Sequence, residues 1–234
     1  MKHGFIRTAA AVVAAVFLCA GSVGAAEFQG RISAKSAILV DADSGRVLFE
    51  KNADERSLIA STTKIMTGLL VCEAGDLERE VSVPPEAAGV EGSSLYLKSG
   101  ERITVKELLY GLMLRSGNDA AVALAEHLAG SEDAFVERMN ARAQELGMND
   151  THFANCTGLP AAGHLTSACD IALMSRELIL NHPDLRRFTT IWMDSLRNGE
   201  SLLVNTNKLV RFYPGTTGLK TGSTSSAGYC ISAT

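Results

Sequence analysis

The chain has 234 residues, with 22 Lys and Arg against 26 Asp and Glu, a formal net charge of −4 and 46% apolar residues. That length supports one large domain with a proper core, and a mildly acidic chain with no basic run argues against nucleic acid as a partner. The five cysteines, at positions 19, 72, 156, 169 and 230, fit no zinc spacing.

Residues 1–26 read as a cleaved secretory signal. Lys2 and Arg7 make a basic start, residues 9–20 an apolar stretch too short for a comfortable membrane span, and Val23-Gly24-Ala25-Ala26 a small-residue cleavage site. Cys19 follows Leu18, where a lipoprotein carries a small residue. Removing the leader takes Lys2 and Arg7 with it, leaving about 208 residues (27–234) and a net charge of −6. The four remaining cysteines are expected as free, mostly buried thiols.

Ala37-Ile38-Leu39-Val40 and Arg46-Val47-Leu48-Phe49, joined by Asp41-Ala42-Asp43-Ser44-Gly45, predict a β-hairpin. A polar connection then enters an apolar helix that starts near Ser61 and stops near Gly75. Residues 80–97, with Pro84-Pro85, predict a loop-rich excursion with small strands. Thr104-Val105-Lys106-Glu107 is a capping box opening a helix to about residue 114. Residues 120–129 are apolar nearly all round and predict a buried helix; His127 on it is expected as a core or rim histidine. An amphipathic helix follows over 132–146, closed by Gly147, then a loop over 149–163. Residues 166–180 predict a helix capped near Ser167 and stopped by Pro183. Leu202-Leu203-Val204 and two pieces around 218–222 and 227–231 predict short strands.

Three short motifs stand in order along this chain: Ser61-x-x-Lys64, Ser116-Gly117-Asn118 and Lys220-Thr221-Gly222. Ser-x-x-Lys alone arises about once by chance in a chain this long. At a helix start, however, residues i and i+3 share a face, so the Ser61 hydroxyl and the Lys64 amine point the same way beside free backbone N–H groups. That supplies a nucleophile, a base and oxyanion donors. Taken singly, Ser116-Gly117-Asn118 is also a turn with an Asn cap, and Lys220-Thr221-Gly222 a strand end with a solvated lysine. The ordered trio, placed at a helix start, an inter-helix loop and a strand, is far rarer by chance than any member.

The trio is the set of penicillin-binding proteins and class A β-lactamases. From about residue 34 to the last, the chain resembles the low-molecular-mass penicillin-binding proteins of the D-alanyl-D-alanine carboxypeptidase type, serine peptidase family S11. The resemblance extends to Phe135-Val136-Glu137-Arg138-Met139-Asn140, Leu146-Gly147-Met148, Asn155 with Gly158-Leu159, His164-Leu165-Thr166-Ser167-Ala168-x-Asp170 and Thr206-Asn207-Lys208-Leu209. Ile59 departs from it, since such proteins usually carry proline there.

The resemblance implies an α/β (α+β) fold of β-lactamase/transpeptidase type: a mostly antiparallel sheet flanked by helices, with an inserted, mainly helical subdomain. In that fold the hairpin strands pair with strands following the Lys-Thr-Gly strand, so the C-terminal part of the sheet is expected to be missing and the domain truncated. It implies Ser61 as acylated nucleophile, Lys64 as base and Ser116 as proton relay. Asn118, Lys220, Thr221 and Gly222 are implied to bind substrate, and the backbone N–H groups of Ser61 and Ser223 to form the oxyanion hole. Burial beside cations such as Lys220 is expected to keep Lys64 neutral.

The implied substrate is a peptidoglycan stem ending in D-Ala-D-Ala, with β-lactams as inhibitors, no cofactor and no metal. The implied location is the extracytoplasmic face of the membrane or the periplasm. Membrane anchoring is expected only through a C-terminal region absent here. Two alternatives remain: a class A β-lactamase, whose deacylating Glu-x-x-x-Asn matches Glu145-x-x-x-Asn149 on paper, and a non-catalytic penicillin- or peptidoglycan-binding protein. Asp41, Asp43 and Asp119 are expected as turn and cap residues, and Tyr96 and Trp192 as packing.

Overall fold

Ala37–Val40 (β1) and Val47–Lys51 (β2) pair antiparallel, with Ile38 opposite Glu50 and Leu39 opposite Phe49. The turn between them forms where predicted. Asp41 accepts hydrogen bonds from the Ser44 amide and hydroxyl, and Gly45 takes a φ of 74°. The computed structural model describes residues 30–234, so the expected leader over 1–26 lies outside the described residues.

A 3-10 turn, Ala60–Thr63, runs straight into α1, Lys64–Ala74. Ile65, Met66, Leu69 and Val71 of α1 are fully buried, and this helix is the axis of the core. Glu80–Ser82 (β3) pairs with Arg102–Thr104 (β4), and Thr104 then caps α2, Val105–Tyr110. The predicted capping box is complete: the Thr104 hydroxyl accepts from the Glu107 amide, and the Glu107 carboxylate accepts from the Thr104 amide. α2 widens into one π turn, Gly111–Arg115, before α3, Asn118–Ala129. α3 is buried over its first eight residues, as its apolar composition predicts. His127 sits half-buried at its rim.

α4, Glu132–Glu145, is capped by Ser131 and inserts Phe135, Met139 and Ala143 into the core. α5, Ala168–Asn181, is capped by Ser167. Arg142 of α4 ties three helices together through Glu73 of α1 at 2.8 Å and Glu177 of α5 at 3.0 Å. Pro183 does end α5, but it also opens α6, Pro183–Thr189, as a first-turn proline, a helix not predicted from sequence. Met193–Leu196 (β5) and Ser201–Val204 (β6) form a hairpin, followed by the single-turn α7, Leu209–Phe212. Leu219–Thr224 (β7) and Gly228–Ala233 (β8) close the order, with Lys220 opposite Ser232 and Gly222 opposite Cys230.

The class is the expected mixture of helices and antiparallel strands, expressed as four separate two-stranded ladders. The first and last hairpins meet on α5. Arg176 donates to the Ala42 and Asp43 carbonyls at 2.6 and 2.9 Å, and Ser175 Oγ lies 2.8 Å from Ser232 Oγ. Cys72, Cys156, Cys169 and Cys230 are all free thiols, but only Cys156 is fully buried. Among the described residues, no helix is long and apolar enough to cross a membrane.

One buried carboxylate staples the excursion before β4 to the helical core. Asp119 accepts from the Leu95 and Leu97 amides at 2.9 and 3.1 Å, from the Ser94 hydroxyl at 2.6 Å and from the Ala120 amide at 2.9 Å. It is not the helix cap that was expected, since Gly117 holds that position without a side-chain bond; Asp119 lies in the first turn and organises a loop. Removing it strands buried donors, each at a cost of about 1–3 kcal/mol. Asp119→Ala is therefore expected to lower the unfolding free energy in urea by roughly 3 kcal/mol or more, against about 1 kcal/mol for Thr104→Ala, which removes a helix cap only.

Candidate active site

The 3-10 turn places the Ser61 hydroxyl and the Lys64 amine on one side, as the spacing predicts. Lys64 Nζ lies 3.0 Å from Ser61 Oγ. Two further acceptors hold the same amine: Asn118 Oδ1 at 2.6 Å and the Thr157 carbonyl at 2.5 Å. A neutral amine has two N–H donors and one lone pair. With Asn118 and Thr157 taking the two donors, the lone pair falls on the Ser61 side, where it can accept the hydroxyl proton. Burial pushes the Lys64 pKa down from 10.5 to about 7, opposed by Cys156 and Asp119. Of the two expected causes, burial holds and the neighbouring cation does not. Desolvation lowers Lys64, whereas the effect of a neighbouring cation falls on Lys220, whose pKa is held well below 10.5 by burial first and by Lys64 second.

The π turn before α3 delivers Ser116 in the left-handed region at φ 64°, and Gly117 follows with its amide on the Gly111 carbonyl. A serine at positive φ is a strained conformation that surrounding structure must impose. Here Asn118, two residues on, is held fast by the 91–93 segment. The Asn118 amide donates to the Ser93 carbonyl at 2.7 Å, and its side-chain Nδ2 donates to the Glu91 carbonyl at 2.5 Å. These bonds leave Asn118 Oδ1 for Lys64. A Cβ on Gly92 would come within 2.7 Å of Asn118 Nδ2, so close approach of this loop to Asn118 requires glycine. Ser116 is buried.

The third motif lies on β7, across from the 3-10 turn. Lys220 is 1% exposed and donates from Nζ to the Thr221 carbonyl at 2.7 Å. The Thr221 hydroxyl donates to Thr206 Oγ1 at 2.7 Å. Gly222 faces the backbone of the 3-10 turn, and a Cβ there would lie 2.6 Å from the Ser61 nitrogen and 3.0 Å from that of Thr62. Only glycine permits β7 to run this close to the turn. Ser223 follows on the same strand.

The structure thus brings Ser61, Lys64 and Asn118 into direct contact and sets Gly222 against Ser61. The residue that sequence reasoning missed is Thr157. Its carbonyl is turned onto Lys64 by Asn155, whose Oδ1 accepts from the Thr157 and Gly158 amides at 3.2 and 2.7 Å. The Asn-x-Thr-Gly pattern signals such a turn, but not where its carbonyl points. Glu145 is not brought here. It is 65% exposed and pairs with Arg142 at 3.1 Å. Tyr96, expected as packing, is instead 80% exposed at φ 57°, while Trp192 packs against Phe212 and Arg211. Among the described residues the one cluster with metal-ligand spacing is Glu73, Glu177 and His182, and the Arg142 guanidinium already bridges its two carboxylates.

Comparison with known proteins shows the family and the fold. The sequence profile of the D-alanyl-D-alanine carboxypeptidases, peptidase family S11, matches residues 23–234. The D-alanyl-D-alanine carboxypeptidase DacF of Bacillus subtilis (strain 168) is 48% identical over 208 residues, covering 86% of this chain and 53% of that protein. The chain therefore spans about half the length of that curated relative. Among solved structures, the D-alanyl-D-alanine carboxypeptidase DacD from Francisella tularensis superposes with a TM-score of 0.82 at 30% identity, covering 87% of this chain and 63% of that one. Penicillin-binding protein D2 from Listeria monocytogenes, in its ampicillin-bound form, superposes with a TM-score of 0.78 at 32% identity, covering 87% and 84%. The chain belongs to the D-alanyl-D-alanine carboxypeptidase family of serine peptidases, S11.

Proposed function

We propose that the chain performs serine-type D-Ala-D-Ala carboxypeptidase chemistry on peptidoglycan stem peptides, outside the cytoplasm. The observation that carries this reading is the Lys64 amine, buried and held by two other acceptors with Ser61 Oγ at 3.0 Å. Ser61 Oγ attacks the carbonyl of the terminal peptide bond as its proton passes to Lys64 Nζ. The resulting oxyanion is held by the Ser61 and Ser223 N–H groups. The C–N bond then breaks, a proton reaches the departing D-alanine nitrogen through Ser116, and water later releases the shortened stem from Ser61.

Asn118 orients the substrate amide. Lys220 and Thr221 receive the terminal carboxylate, whose arrival gives the buried Lys220 amine the counter-charge that it lacks in the resting site. Gly222 admits the substrate backbone beside β7. A β-lactam presents a comparable acyl carbon, held in a strained ring, and a carboxylate, and the ampicillin-bound Listeria relative supports β-lactams as inhibitors. The exposed, Arg142-paired Glu145 gives no support to rapid deacylation of β-lactamase type.

Incubating the protein with benzylpenicillin is expected to add one penicillin mass to the chain, persisting for minutes or longer and absent in Ser61→Ala. Release of D-alanine from a D-Ala-D-Ala peptide should vanish in the same variant. An adduct without peptide turnover would leave a penicillin-binding protein that is not a peptidase, and loss of the adduct within seconds would indicate a β-lactamase.

The Lys64 pKa sets a second expectation. Its depressed value means that the amine is protonated, and useless as a base, below about pH 7, and neutral above it. The acylation rate constant is expected to climb about tenfold per unit toward pH 7 and then level off. A flat profile from pH 5 to 8 would remove Lys64 from the role of base.

A further inference from the structure

Ser61 N–H and the Ala60 carbonyl belong to one planar trans peptide, and they point in opposite directions. Fixing the carbonyl therefore aims the N–H. Ala60 sits at φ 48°, a region that an alanine enters only when surroundings hold it there. Two walls crowd this peptide. A Cβ on Gly158 would stand 2.0 Å from the Ala60 oxygen, and one on Gly222 would stand 2.6 Å from the Ser61 nitrogen.

A chain of three hydrogen bonds ends on that carbonyl. The Ala154 amide donates to His164 Nδ1 at 3.0 Å, His164 Nε2 lies 2.7 Å from Thr63 Oγ1, and Thr63 Oγ1 donates to the Ala60 oxygen at 2.9 Å. The direction of the chain follows from its first link. A backbone N–H can only donate, so Nδ1 is bare and the single proton of a neutral imidazole is on Nε2. That proton goes to Thr63 Oγ1, which in turn has only its own hydrogen to offer, and the acceptor in reach is Ala60 C=O. Thr63 and His164 are both buried, and the His164 ring lies edge-on to Phe153 at 5.9 Å. The titratable groups whose charge acts on the ring are His152 and Lys64.

We infer that His164, acting through the Thr63 hydroxyl, is a positioning residue for the oxyanion site: it pins the Ala60 carbonyl and so aims the Ser61 N–H. The inference rests on the acyl-transfer reading above. Burial, then His152 and Lys64, lower the His164 pKa from 6.5 to about 4, so the bare Nδ1 persists across the working range of the lysine base. Protonation would set an N–H against the Ala154 N–H and break the chain at its first link.

The test uses stopped-flow acylation by nitrocefin, separating the noncovalent dissociation constant from the acylation rate constant, on the wild type, Thr63→Val, Thr63→Ser and His164→Leu. Removing one oxyanion donor outright costs enzymes 10²–10³ in rate, and misaiming one should cost less. Thr63→Val and His164→Leu are expected to slow acylation by about 10–100-fold while the dissociation constant moves less than about threefold. Thr63→Ser is expected to retain the rate.

Folded Thr63→Val acylating within twofold of wild type would overturn the proposal. So would equal loss in Thr63→Ser and Thr63→Val. A second measurement needs no variant: the ¹⁵N spectrum of the His164 imidazole in the wild type should show a proton on Nε2 and none on Nδ1, and the reverse overturns the inference. If wild-type protein forms no Ser61 adduct, the acyl-transfer reading falls, and the imidazole spectrum still decides the direction of the chain.

Discussion

A lysine amine at 0% exposure is an expensive object, since a buried ammonium loses several kcal/mol of hydration that few contacts restore. Here a hydroxyl and two acceptors meet it, and each comes from a different part of the chain: the turn before α1, the start of α3 and the loop after α4. The other arrangements around the site can be read as means of holding those acceptors. The 91–97 loop takes the backbone N–H of Asn118 and one from its Nδ2, which leaves Oδ1 to the lysine. Asn155 turns the Thr157 carbonyl inward. Asp119 anchors the loop that anchors Asn118. The site is therefore not three motifs meeting by chance in space, but one buried amine whose surroundings have been closed from three directions.

What the sequence made legible was chemistry carried by short-range patterns. Ser61 and Lys64 could be placed together because helical spacing alone puts them on one face, and the first-turn caps at Thr104 and Ser167 could be placed because a capping bond spans three residues. The burial of α3 followed from its composition. Elements whose order comes from distant partners stayed hidden. β5 is exposed at three of its four positions and is a strand only because β6 lies beside it. α6 begins at a proline that reads equally well as a stop or a start.

The same division runs through the site. The side chains of Ser61, Lys64, Asn118 and Lys220 were visible, but backbone carbonyls carry no residue label, so the part played by Thr157 was not. Burial of Lys64 was expected, but that burial acts on it without a cation depends on distances and not on order. Tyr96 failed for a related reason: an aromatic residue between two leucines reads as core, yet the loop turns at φ 57° and buries Leu95 and Leu97 while presenting the ring to solvent.

That inversion has a consequence of its own. An aromatic ring on an exposed loop usually moves with the loop, and anything that binds it must first bring the backbone to order. Tyr96 stands between two amides already bonded to a buried carboxylate, on a segment further along from two carbonyls that hold Asn118. It is an exposed ring on a backbone pinned at both neighbours. A molecule docking against this ring meets a surface whose conformational entropy was lost when the protein folded, and a disturbance of that loop reaches Asn118, and through it the lysine, along hydrogen bonds already in place.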